Sequence, residues 1–118
     1  MYPTNQIQLL RHIYGPNVEE RRDGQNLYLF IPGLTMPQNC TPNKTDALFC
    51  TQSFAPTTGG YTSRLFLKDN VESPHKPNNY QSYLIAGETW YAFSHNNVVA
   101  GPFPEMILNH LRGFLIPC

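Results

Sequence analysis

The sequence predicts an α+β fold in which an N-terminal helix, a four-stranded antiparallel meander and a C-terminal helix follow one another in a single domain, 1–118. Three observations predict it. Apolar residues recur at helical spacing near both ends of the chain, short apolar runs separated by turn residues fill the middle, and 118 residues are enough to bury one core without disulfides or a metal.

The first helix is read from Ile7, Leu10 and Tyr14, with Leu9 and Ile13 beside them, close to the i, i+3, i+4, i+7 stripe that faces a core. Gly15-Pro16 ends it. Asp23-Gly24 then separates residues 18–22 from the apolar run 27–31, and Asp-Gly between two extended segments signals a hairpin because glycine accepts the positive φ of a tight turn. Residues 32–44 hold three prolines, a glycine and several Asn and Thr, so they are expected to form a loop with few ladder hydrogen bonds. Residues 45–52 are the third predicted strand. After the turn Pro56-Thr57-Thr58-Gly59-Gly60, residues 61–67 form the fourth, with Leu65 and Leu67 alternating with Phe66.

Polar residues and two prolines mark 68–80 as an ordered surface excursion with no core element of its own. Residues 83–93 are apolar and aromatic. Pro102-Phe103-Pro104-Glu105 then introduces Met106, Ile107, Leu108, Leu111, Phe114 and Leu115 at helical spacing. Proline and an acidic residue in the first turn both suit a helix start, placed at about Pro104.

Eight basic and eight acidic residues balance and are scattered, which leaves no basic stripe for DNA, RNA or an anionic membrane. No stretch is long and apolar enough to span a bilayer, and the first residues lack the pattern of a secretory signal. Cys40, Cys50 and Cys118 cannot all pair within one chain and match no zinc spacing. A reducing, cytoplasmic setting is therefore expected, with no cofactor and no metal. The sequons Asn39-Cys40-Thr41 and Asn43-Lys44-Thr45 keep open the alternative of a small secreted, glycosylated domain.

The order of elements resembles the E2 fold of ubiquitin-conjugating enzymes, shared by the noncatalytic UEV and RWD domains. Tyr61-Thr62-Ser63-Arg64-Leu65-Phe66-Leu67 is similar to the fourth-strand segment of that superfamily without its usual prolines. His75-Lys76-Pro77-Asn78 resembles the His-Pro-Asn signature with one residue inserted, and Pro102-Phe103-Pro104 precedes the last helix as Trp-Ser-Pro does there. Gly87-Glu88-Thr89-Trp90 stands where those enzymes read Gly-x-Ile-Cys, so a tryptophan occupies the place of the nucleophilic cysteine. Trp90-Tyr91-Ala92-Phe93-Ser94-His95 is further similar to the Trp-Ser-Arg-His segment of bacterial E2-like proteins encoded with ubiquitin-like, E1-like and JAB-peptidase partners.

The resemblance implies an atypical E2-like component of a bacterial ubiquitin-like modification system, with a ubiquitin-like protein and an E1-like adenylating enzyme as partners. A UEV- or RWD-like interaction module with no part in conjugation is the alternative. Thioester chemistry needs a thiolate and a donor for the oxyanion. Asn78 stands at the donor's position, although closing a turn is the ordinary role of such a residue. Cys50 lies in an apolar strand as a small core residue, which leaves Cys40 and Cys118 as candidates for a relocated thiol. Trp90 is either a plug in a redundant groove or an aromatic anchor for a partner. His75, Ser94 and His95 complete the candidate binding residues. Ser94 and His95 are adjacent in sequence, which in an extended segment sends them to opposite faces and argues against a hydrolase pair. His12 and His110 are expected as surface or packing residues of the two helices.

Overall fold

A computed structural model describes residues 1–77, 79–93 and 98–115. The chain begins with α1 (Thr4–Tyr14), continues through β1 (Glu19–Asp23), β2 (Asn26–Thr35), β3 (Lys44–Thr51), β4 (Ser63–Leu67), β5 (Gln81–Ile85) and β6 (Glu88–Ala92), and closes with α2 (Phe103–Leu111) and a 3-10 turn at Arg112–Phe114. The strands form one antiparallel sheet in the order β1-β2-β3-β4-β6-β5. The α+β class and the four-strand meander are as the sequence predicts. The strand count is not: among the described residues, β5 and β6 extend the sheet from four strands to six.

In α1, Ile7 and Leu10 are buried, whereas Leu9 and Ile13 are exposed, so the apolar stripe is narrower than the sequence suggests. At 100° per residue those two side chains rotate off the face that meets the sheet. Gly15, at φ +112°, carries the chain out of the helix while its N–H still bonds the Arg11 carbonyl at 2.9 Å. Tyr2, fully buried, ties the segment before the helix to the sheet: its hydroxyl donates to the Leu27 carbonyl and accepts from the Thr51 N–H.

The β1–β2 hairpin turns through Gly24 and Gln25, with Asp23 opposite Asn26. Positive φ at Gly24 alone gives the II′ geometry that matches strand twist. The expected loop over 32–44 begins later than predicted, because Pro32, Gly33, Leu34 and Thr35 remain in β2. A bulge between Ile31 and Leu34 makes this possible. It places the proline, which has no N–H to give, at the irregularity, and Gly33 (φ +62°) donates its own N–H to Asp46 Oδ1 at 2.9 Å.

Between β4 and β5 the described residues of the excursion over 68–80 form no helix or strand, as predicted, and a bridge between Thr41 and Glu72 pins it. The aromatic segment over 83–93 is a second tight hairpin rather than an unassigned apolar run. Ala86 (φ +49°) and Gly87 (φ +79°) form its type I′ turn. The Ala86 N–H reaches across the molecule to Asp23 Oδ2 at 3.0 Å, joining the tips of the two hairpins. The sheet is therefore curled and buries both faces.

One face, with Leu29, Phe49, Leu65 and Leu67, packs under α1 and α2 together with Phe103, Ile107, Leu111 and Phe114. The other face encloses a second core of Tyr28, Leu48, Cys50, Phe66, Ile85, Trp90 and Ala92. Central strands β3 and β4 consequently carry apolar residues on both sides. A bond from the Phe103 N–H to Gln6 Oε1 at 2.9 Å holds the start of α2 against α1.

Candidate functional site

Gly87 and Trp90 lie at the turn and in the second strand of the β5–β6 hairpin. Trp90 is only 3 % exposed and points into the second core. It is a core side chain and not an exposed aromatic anchor. Lys68 Nζ sits 5.4 Å from the centre of the indole and is held by Glu88 at 2.8 Å, a contact that also lowers the Glu88 carboxyl pKa. A narrow cleft opens between the two hairpin tips, walled by Arg21, Asp23, Ile85 and Glu88 and floored by Trp90.

Among the described residues, neither His75 nor Cys40 joins Trp90 in the second core. His75 is half-buried in the excursion, where its carbonyl accepts a hydrogen bond from the Ser73 hydroxyl. Asn78, Ser94, His95 and Cys118 lie outside the described residues. Cys40 does not sit in an open loop but is buried in the first core, and burial raises its thiol pKa. Cys50 is fully buried on β3, and desolvation pushes its thiol up to about 12, against the weaker opposing pull of Arg64. Both cysteines are free thiols. Neither has the exposed, electropositive setting that makes a thiol a nucleophile near neutral pH.

Two polar constellations escaped the sequence reading. His110, expected as a surface or packing residue, is buried on α2, and its Nε2 lies 2.7 Å from Ser63 Oγ on β4. The Phe49 ring packs edge-on against the imidazole at 6.5 Å. Both partners are closed off from solvent, so the pair serves as a polar tie between helix and sheet. It has no access for a substrate.

Arg64 is the second. It alternates with Ser63 and Leu65 along β4 and therefore faces the second core, opposite Cys50. The residue is 8 % exposed, and its guanidinium carbon lies 5.3 Å from the Tyr61 ring centre, 5.5 Å from Phe66 and 5.0 Å from Tyr83. Nη2 donates to the Tyr83 hydroxyl at 3.1 Å, and the same oxygen accepts from Gln81 Nε2 at 3.0 Å. Among the described residues no carboxylate pairs with this cation. Aromatic faces within about 6 Å offset part of the cost of burying it. They do not neutralise its charge.

Neither pair could be read locally, because Ser63 and His110 are 47 residues apart and Arg64 and Tyr83 are 19 apart. Among the described residues there is no cluster of metal-ligating side chains, and no helix is long and apolar enough to cross a membrane. Compared with protein-family models, curated proteins and solved structures, the chain matches none.

Proposed function

We propose that this domain is a noncatalytic E2-like component of a ubiquitin-like modification system, which binds a ubiquitin-like protein and an E1-like adenylating enzyme. The observation that carries the reading is the state of the sulfur chemistry. By the sequence resemblance Trp90 stands where a conjugating enzyme presents its cysteine, and its side chain is buried in the second core, beneath the cleft between the hairpin tips. Cys40 and Cys50 are buried with raised thiol pKa values, so neither offers a thiolate to an incoming thioester. Two outer features support binding: β5, the last strand of the sheet, with its Leu84 exposed, and the cleft between the hairpin tips. A free sheet edge offers unpaired backbone groups to an extended partner chain.

The test mixes the purified protein with ubiquitin-like proteins, their E1-like enzymes and ATP, then compares gels run with and without reductant. Saturable noncovalent binding with no reductant-sensitive adduct is the expected result. An adduct that disappears in Cys118→Ser, or in a variant of Cys40 or Cys50, would replace this reading with a conjugating enzyme whose thiol has moved. Absence of binding to every ubiquitin-like protein tried would remove the conjugation setting altogether.

A further inference from the structure

We propose that Arg64 and Tyr83 form a receptor for a single carboxylate, presented by a partner protein as its chain terminus or as an acidic side chain. Arg64 has an excess of donors. A guanidinium has five N–H groups, and the one hydrogen bond Arg64 makes among the described residues is from Nη2 to Tyr83. Thr58 Oγ1 is the one fully buried side-chain polar atom among the described residues that has no partner, so the unused nitrogens of Arg64 are not sealed inside the protein. They face water through the small part of the side chain left open.

Tyr83 adds a second donor at the same place. Its oxygen accepts from both Arg64 and Gln81, and no acceptor for its own O–H is found among the described residues. Cation and hydroxyl therefore converge with nothing anionic between them. The ring centres of Tyr61, Phe66 and Tyr83 lie 5.3, 5.5 and 5.0 Å from the guanidinium carbon and confine the group, and a confined guanidinium fork suits bidentate contact with a carboxylate. One fixed positive charge, with aromatic rather than basic neighbours, matches a monoanion better than a phosphate dianion. A carboxylate fits both the charge and the fork.

This inference does not depend on the conjugation reading, and its test needs no physiological partner. The Arg64 Nε–Hε resonance is followed by NMR while acetate, N-acetyl-Gly-Gly with a free carboxylate, its C-terminal amide, N-acetyl-glutamic acid amide or inorganic phosphate is added. Saturable shifts are expected with the carboxylates, at a Kd on the order of 1 mM, and none with the amide of Gly-Gly. Response to N-acetyl-Gly-Gly alone among the two peptidic acids assigns the site to a chain terminus, and response to the glutamic acid amide alone assigns it to an acidic side chain. Tyr83→Phe, which keeps the arginine and its cage, should weaken binding by about tenfold, the loss of one hydrogen bond to a charged group. Absence of a saturable shift in the unaltered protein, tighter binding of phosphate than of any carboxylate, or a Tyr83→Phe variant that binds as well as the unaltered protein would each overturn the proposal.

Discussion

Replacing Gly113 with alanine probes how tightly the end of α2 is packed. Alanine in a helical turn ordinarily stabilises by up to about 1 kcal/mol relative to glycine. Here the sign should reverse. A Cβ at Gly113 would lie 2.2 Å from Phe93 Cε2 and 2.6 Å from Cζ, where carbon atoms at contact need about 3.5 Å or more. The ring must retreat by more than about 1 Å, yet it is buried and packed edge-on against Phe114 (centres 5.1 Å apart) and Tyr80 (6.1 Å). Overpacking of this kind costs about 1–3 kcal/mol, so the net effect should be a destabilisation of about 1–2 kcal/mol. In thermal melts that is a fall of roughly 4–8 °C. The control is the same change in a Phe93→Ala background, which itself costs about 3–5 kcal/mol. With the ring gone, Gly113→Ala should become neutral or stabilising, a coupling of at least about 1 kcal/mol. Stabilisation by Gly113→Ala alone, or an equal cost in both backgrounds, would refute the packing described for Phe93.

Phe114→Ala should cost about 3–5 kcal/mol in chemical denaturation, because the residue is 1 % exposed, whereas Leu108→Ala, at 55 % exposure on the same helix, should change stability by less than about 0.5 kcal/mol. Ser63→Ala removes the 2.7 Å bond to a buried imidazole and should destabilise by about 1–3 kcal/mol, with Ser63→Thr milder if the hydroxyl keeps its place. Folding stability should also decline at alkaline pH. Cys50 moves from an ordinary value of 9.0 to about 12 on folding, and Tyr28 and Tyr80 from 10.0 to about 12, mainly by desolvation. In each case the folded state holds its proton longer, so this stability is complete below the ordinary value and is lost as pH rises toward 12. Cys50→Ala should flatten the first part of that decline, between about pH 9 and 10, as measured by urea titration at each pH.

Elements whose signals are local were legible. The α1 and α2 periodicities, the Asp23-Gly24 turn, and strands β3 and β4 all follow from side-chain spacing and turn chemistry within a few residues. The second hairpin was not, because Ala86-Gly87 lacks the polar side chain of the usual Asn or Asp turn signal, and the left-handed alanine is supported by a bond from its own N–H to Asp23, 63 residues away. Pro32 and Gly33 read as strand breakers, yet a bulge carries β2 past them. Burial of both sheet faces is a property of the curl, which depends on the distant Asp23–Ala86 contact. Of the candidate site, the packing role of Cys50 was visible. Arg64 was not: a charged residue in an alternating strand reads as solvent-facing until β5 brings Tyr83 over it.

The account's central claim is that the described thiols are walled off from chemistry, and the most direct measurement is thiol labelling of the Cys118→Ser protein near neutral pH. Cys40 and Cys50 are buried and their thiol pKa values raised, so a disulfide reagent such as DTNB should react with neither in the native protein and with both after unfolding in guanidinium chloride. The protected thiols should become reactive only as the protein unfolds, at the midpoint seen by circular dichroism. A native thiol that reacts at the rate of a free cysteine would contradict the claim and return Cys40 or Cys50 to candidacy as a nucleophile.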